Sequence, residues 1–253
     1  MRTTLVLALA AGVAFATPAF CADGGAANNV PPGEGGPTGY ADPFAGFNQA
    51  MFTFNLKLDQ WVLRPIASGY ARIAPEPVRK SVGHFFDNAN VIPRVVSNLC
   101  QLKLAEAGSE TARFGINSVI GVAGFFDPAK DWFGIKPKNN DTGLTLRYYH
   151  VSTGPYLMLP FFGPSTIGDA LGTIVDGSMN PVDYLPYFTG IPTWLPIAID
   201  SGQFMGAAIN YRSLHLNQFE EADRYAVDLY GAVQDGYLQT RAHKVAQLRR
   251  ENM

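Results

Sequence analysis

The 253-residue chain carries 19 Lys and Arg against 21 Asp and Glu, a formal charge of −2, so the basic excess that marks nucleic-acid binding is absent. Charged residues make up only 16% and aromatics 12%, a balance that suits a protein with little surface in water and, equally, a large-core enzyme. The two cysteines are Cys21, near the start, and Cys100, so no disulfide is expected to brace an exported body.

Residues 1–21 read as an export signal. Arg2 supplies the positive end, and Leu5 to Phe15 is an apolar run too short to span a membrane comfortably. Ala14-Phe15-Ala16 is a fitting signal-peptidase site and Ala19-Phe20-Cys21 a poorer one. Residues 22–41, rich in Gly, Pro and Asn, have little to bury and read as a flexible tether.

The stretch from Asp42 to Tyr70, DPFAGFNQAMFTFNLKLDQWVLRPIASGY, is the most distinctive. Asp42 suits an N-cap and Pro43 the first helical turn. Phe44, Phe47, Met51, Phe54, Leu58 and Trp61 recur at steps of three and four, which places them in one stripe of a helix. Asn48, Asn55 and Asp59 fall on another side, while Phe52, Leu56, Val62 and Leu63 widen the apolar surface around most of the circumference. Such a helix is either buried in a core or laid against lipid. Arg64-Pro65 predicts a break or kink.

Pro75 and Pro77 open a second helix and Pro93 a third, with Val95, Val96, Leu99, Cys100 and Leu102 expected inward. A fourth is expected over Glu110 to Ile120. Thr142 to Val151 alternates partly and reads as a short strand or hairpin arm. In Gly154 to Gly172, Pro155, Pro160 and Pro164 forbid a regular helix, Gly154, Gly163 and Gly168 add freedom, and Ser165 or Thr166 can cap a helix from Ile167. Asn180 to Ala208 is again aromatic and Pro-rich, with Tyr187 and Trp194 among its large rings. Residues 213–253 read as an ordinary amphipathic helix with a basic end.

Catalytic and metal signatures are sparse. The four histidines are scattered without metal-ligand spacing, and there is no G-x-S-x-G elbow or Gly-rich phosphate loop. Asp169 and Asp176, seven apart on the helix expected from Ile167, are the one candidate carboxylate pair. The alternative is that they are solvated or pore-lining acids.

Four blocks carry a family resemblance: the Asp42 to Tyr70 stretch, APEPVRKSVGHFFDNANVIPRVVSNLCQLK (Ala74 to Lys103), RFGINSVIGVAGFFDPAK (Arg113 to Lys130) and TGLTLRYYHVSTGPYLMLPFFGPSTIGDALG (Thr142 to Gly172). Their order resembles the VacJ/MlaA family of outer-membrane lipoproteins. The resemblance implies a mostly α fold, a ring-like bundle of short Pro/Gly-interrupted amphipathic helices over residues 42–212, embedded in the outer membrane. One short β-hairpin is allowed, and a periplasmic C-terminal helix would follow over 213–253. It also implies removal of misplaced phospholipid from the outer leaflet, delivery to a periplasmic lipid-binding carrier, and association with a trimeric porin, with no cofactor. In that picture Cys21 is the lipidated residue, although Phe20 stands where the lipoprotein peptidase takes a small side chain. Phe44, Phe47, Phe54, Trp61, Tyr187 and Trp194 would meet membrane or acyl chains. Asn48, Asn55, Asp169 and Asp176 would face a pore or head group, and Gly154, Gly163 and Gly168 would form a gate. The competing reading is a secreted soluble hydrolase with Asp169 and Asp176 as its acids.

Overall fold

The structure, a computed structural model, describes residues 42–226 and 228–251. The expected signal segment 1–21, with Cys21, and the tether 22–41 lie outside the described residues. Helix α1 (Ala45–Leu58) runs through a π-turn (Asp59–Leu63) into α2 (Arg64–Ile73) as one continuous helical path. The expected break at Arg64-Pro65 does not occur. Proline inside a helix removes a donor and crowds the carbonyl four residues back, and the wider π-turn directly upstream absorbs that misfit. Asp42, expected as the N-cap, lies two residues before the observed cap Phe44: its carboxylate accepts from the Phe44 amide at 3.1 Å and from Asn48 Nδ2 at 2.9 Å.

The next helices are α3 (Glu76–Ala89), α4 (Val91–Cys100), α5 (Leu104–Val119) and the short α6 (Pro128–Asp131). Helix α5 begins well before the expected Glu110. The expected strand over Thr142 to Val151 is a helix, α7 (Thr142–Tyr148), because Asp141 caps it, accepting from the Leu144 amide at 2.7 Å. The hairpin lies one segment later, as β1 (Tyr156–Leu159) and β2 (Gly163–Thr166), antiparallel with Tyr156 opposite Thr166 and Leu159 opposite Gly163. In a two-strand sheet both strands are edges, which is why Pro164 is tolerated in β2.

Thr166 caps α8 (Ile167–Ser178) as expected, accepting from the Asp169 amide at 3.2 Å. A 3₁₀ turn (Pro181–Tyr184), α9 (Leu185–Thr189) and α10 (Trp194–Leu214) follow. The boundary expected at 212/213 therefore falls inside α10. The single C-terminal helix expected is two, α11 (Leu216–Tyr225) and α12 (Leu229–Arg250). Helix α12 is built into the body: Tyr237, Arg241, Val245 and Leu248 are buried.

Packing joins α4 to α5, α10 to α2 and α3, α7 to α8 and α12, and the hairpin to α1. The polarity of this packing is reversed. The largest fully buried side chains are Gln101, Glu110, Asn48, Asn98, Thr166 and Ser97 beside only Leu144 and Met158. On α4 the expectation inverts: Leu99, Cys100 and the adjoining Leu102 are exposed, while Ser97, Asn98 and Gln101 are buried. Water-facing proteins rarely expose large contiguous apolar surface. A protein whose outside meets hydrocarbon reverses that preference, since its polar groups must satisfy one another inside. Among the described residues no helix is long and apolar enough to cross a membrane.

Candidate functional site

Two internal constructions and one external surface stand out. The first is an ionic centre between α7, α8 and α12. Asp169, 4% exposed, accepts from Arg241 Nη2 at 2.5 Å, Arg147 Nη2 at 2.8 Å, the Tyr237 hydroxyl at 2.6 Å and the Thr166 hydroxyl at 2.8 Å. Arg241 also forks onto Asp141, with Nη1 at 2.6 Å and Nη2 at 3.0 Å, so the residue that caps α7 is held by α12. Burial alone would raise the Asp169 pKa; the Arg241 charge and the bonds from Arg241, Arg147 and Tyr237 outweigh it and hold the carboxyl well below the usual carboxylate range.

Small residues make this centre possible. A Cβ on Gly143 would stand 2.3 Å from Asp169 Oδ1, and one on Gly172 would stand 2.6 Å from the Gly143 nitrogen. The α7–α8 crossing needs glycine on both sides for the arginines and the carboxylate to meet.

Asp176 belongs to a separate set. Its carboxylate accepts from the Thr142 amide at 3.2 Å and from the Thr142 hydroxyl. Burial pushes its pKa up to about 6, with the Asp141 charge adding to the rise and the Thr142 bonds opposing it. Asp169 and Asp176 therefore answer to different partners, and Asp169 is locked in ion pairs. The arrangement lacks the acid poised beside a second free carboxylate that a glycosidase-like pair requires. Among the described residues no group of three or more His, Cys, Asp or Glu is placed to hold a metal.

The second construction clamps the hairpin to α1. Asn48, fully buried, donates to the Tyr156 carbonyl at 3.2 Å and accepts from the Met158 amide at 2.8 Å. Two turns on, Asn55 donates to the Leu159 carbonyl at 2.8 Å and accepts from the Phe161 amide at 2.8 Å. The two amides read the hairpin backbone as a neighbouring strand would. Asn48 and Asn55, expected to face a pore or head group, have both amides engaged by backbone. Gly154 and Gly163 have left-handed φ values of 71° and 81°, whereas Gly168 is a close-packing site where a Cβ would lie 2.8 Å from Thr153 Cα. Phe161, in the hairpin turn, meets Phe54 of α1 edge-on with ring centroids 5.3 Å apart.

The outer surface carries many large apolar side chains. Phe44, Phe47, Phe54 and Trp61 along α1 and its π-turn are all exposed, as are Tyr187 and Trp194, with Trp61 and Tyr187 80% exposed. Phe188, Leu171, Ile174, Trp132 and Phe133 extend this surface over other elements. Sequence reasoning missed Arg147, Arg241, Asp141 and Tyr237. Arg241 looks like part of a basic terminus, and no local spacing announces a partner 72 positions away in the chain.

The helical body combines a buried ionic interior with many large apolar side chains on its outside. The family model of the MlaA lipoprotein matches residues 40–244, and the chain belongs to that family. The intermembrane phospholipid transport system lipoprotein MlaA of Escherichia coli K12 is 30% identical over 208 residues, covering 79% of this chain and 77% of that one. Its Haemophilus influenzae counterpart is 27% identical over 206 residues, 81% of this chain and 79% of the other. An uncharacterized Rickettsia felis protein is 34% identical over 144 residues, 56% of this chain and only 57% of its own length. A chain solved in work on the structural basis for maintenance of bacterial outer membrane lipid asymmetry matches with a TM-score of 0.66 at 26% identity, covering 81% of this chain and 99% of that chain.

Proposed function

We propose that this chain is the outer-membrane component of intermembrane phospholipid transport. It removes mislocalised phospholipid from the outer leaflet and passes it to a periplasmic lipid-binding carrier, which maintains outer-membrane asymmetry. The observation that carries the reading is the reversed polarity: exposed Phe44, Phe47, Phe54, Trp61, Tyr187 and Trp194 around a buried set of Asn, Asp, Glu and Arg. Burying apolar surface in hydrocarbon is worth about 25 cal/mol per Å², so such a shell fixes the depth at which the body floats. A polar interior gives a charged head group a route that avoids the oily layer, where an unpaired polar group is costly. The names of the Escherichia coli and Haemophilus influenzae relatives support the same assignment.

In this reading the helical body, α12 included, forms a ring in the outer membrane that opens on the periplasmic side. Residues 22–41 tether it to an anchor at Cys21, and a trimeric porin steadies it laterally. The segment from Gly154 to Gly168 gates the passage. Asn48 and Asn55 then act as the hinge pins of that segment, and Asp169 and Asp176 set the charge along the interior. No covalent step is assigned to this subunit, and direction is set by its partners.

The test is to delete the gene in its host and label surface-accessible aminophospholipid with a membrane-impermeant amine reagent. The reading expects more label on cells lacking the chain, and restoration by the wild-type gene. Equal labelling with and without the chain would contradict it.

A further inference from the structure

Between α7, the hairpin and α12 lies a cavity of about 130 Å³, walled by Arg147, Thr153, Tyr156, Thr166, Gln234 and Leu238. Three observations concern its polar wall. Arg147 is fixed by Nη2, which donates to Thr166 at 3.2 Å and Asp169 at 2.8 Å, yet its Nε is buried with no partner. Tyr156 is 4% exposed, and its hydroxyl is also buried with no partner. Natural proteins leave few buried polar atoms unpaired, and two on residues that line one cavity point to a ligand that completes them. The third is charge. Arg147 and Arg241 balance Asp141 and Asp169, but Arg249 is added beside them. It donates to the Arg147 carbonyl at 2.6 Å and lies 3.2 Å from His150 Nδ1. Asp42, beyond Gln234, already accepts from Tyr230 at 2.6 Å, Asn48 at 2.9 Å and Gln234 at 3.3 Å.

From these we infer that the cavity is a binding site for a phosphate group, held by Arg147 and the Tyr156 hydroxyl with Thr153 beside them. A phosphate offers several acceptor oxygens to a guanidinium, a phenol and a threonine hydroxyl at once, and it bears the charge that Arg249 and its neighbours favour. Leu238 and Pro155 give the same cavity an apolar side against which glycerol carbons can rest. In the transport reading, on which this identification of the source rests, the group is the phosphodiester of a phospholipid. The same chemistry also accepts free inorganic phosphate.

The experiment uses the full chain purified in detergent and reads binding by native mass spectrometry with three probes: dioleoylphosphatidylglycerol, dioleoylglycerol and inorganic phosphate. The phosphatidyl lipid is expected to bind and the diacylglycerol not to. Tyr156→Phe removes only the unpartnered hydroxyl, so its melting temperature should not fall, while lipid affinity should drop by about tenfold, the loss of one hydrogen bond to a charged group. Arg147→Gln should weaken binding by at least about as much, since it removes the charge as well. Lipid displaced by millimolar phosphate would mean that the phosphate group alone is recognised. Phosphate bound to wild type and lost in Tyr156→Phe, with no lipid bound, would keep the site and overturn the lipid source. Phosphatidylglycerol and dioleoylglycerol binding alike, unchanged in both variants, would overturn the site and leave the transport reading standing. Binding of none of the probes would also overturn the site.

Discussion

The long α1–α2 helix and the α7–α8–α12 centre solve opposite problems. Along α1, large rings lie outside, two asparagines read a hairpin backbone, and Met51 and Phe52 pack on the buried Tyr156, Met158 and Tyr237. At the α7–α8–α12 centre, the inside is a carboxylate ringed by two arginines and a tyrosine, with glycines thinning the helices so the charges can touch. The difference teaches that buried polar groups fix how the helices and the hairpin meet, while many of the large apolar side chains lie outside; in the proposed reading these set where the body sits. Substitutions inside should therefore damage the fold, and substitutions outside should damage location.

The largest expected effect is at Asp169. Asp169→Ala leaves Arg241, Arg147 and Tyr237 facing a void, and breaking a buried ion pair from one side costs about 3–5 kcal/mol. Thermal unfolding in detergent should show a loss large enough to lower the yield of folded protein. Next comes the crossing: Gly172→Ala forces a Cβ to within 2.6 Å of the Gly143 nitrogen, and overpacking of this kind costs about 1–3 kcal/mol in the same melt. Asn48→Ala removes the bonds to Tyr156 and Met158 and leaves buried backbone groups unpaired, at about 1–3 kcal/mol. Hydrogen exchange should locate the loosening in β1.

A smaller effect is tied to pH. Asp176 holds its proton more tightly in the folded chain, at about 6 against an ordinary 3.8. Its contribution is therefore complete below the ordinary value and declines as pH rises through about 6. Asp176→Asn removes this decline, so the variant should gain on wild type in melting temperature as pH rises from 4 to 7. A constant gap across that range would contradict the assignment. The smallest effect on the fold is expected outside: Trp61→Ser and Tyr187→Ser should change stability in detergent by no more than about 0.5 kcal/mol, yet together should reduce flotation with vesicles.

Much of the helical order was legible. Proline positions announced α3 and α4, and Thr166 announced α8, because each acts through local backbone chemistry. The stripe from Phe44 to Trp61 was legible as a pattern but ambiguous in direction, since a helix apolar around most of its surface looks the same whether buried or lipid-facing. The same ambiguity misplaced Leu99, Cys100 and Leu102 indoors. Helix α7 was misread because its alternation resembles a strand, and the capping by Asp141 depends on Arg241, a hundred positions away. Asn48 and Asn55 were picked out as polar residues on an apolar helix, but their partners are backbone atoms of a hairpin that no spacing within α1 can reveal. The ionic centre was half visible: Asp169 stood out, its arginines did not.

The most direct test of the central claim is depth. Trp132→Phe combined with either Trp61→Phe or Trp194→Phe leaves a single tryptophan, because the chain has three. Each variant is reconstituted into bilayers of lipids brominated along the acyl chain, and its fluorescence is measured. The account predicts that Trp61 and Trp194 are strongly quenched by the brominated chains and shielded from aqueous acrylamide. Quenching by acrylamide with none from the lipid would put the apolar surface in water and contradict it.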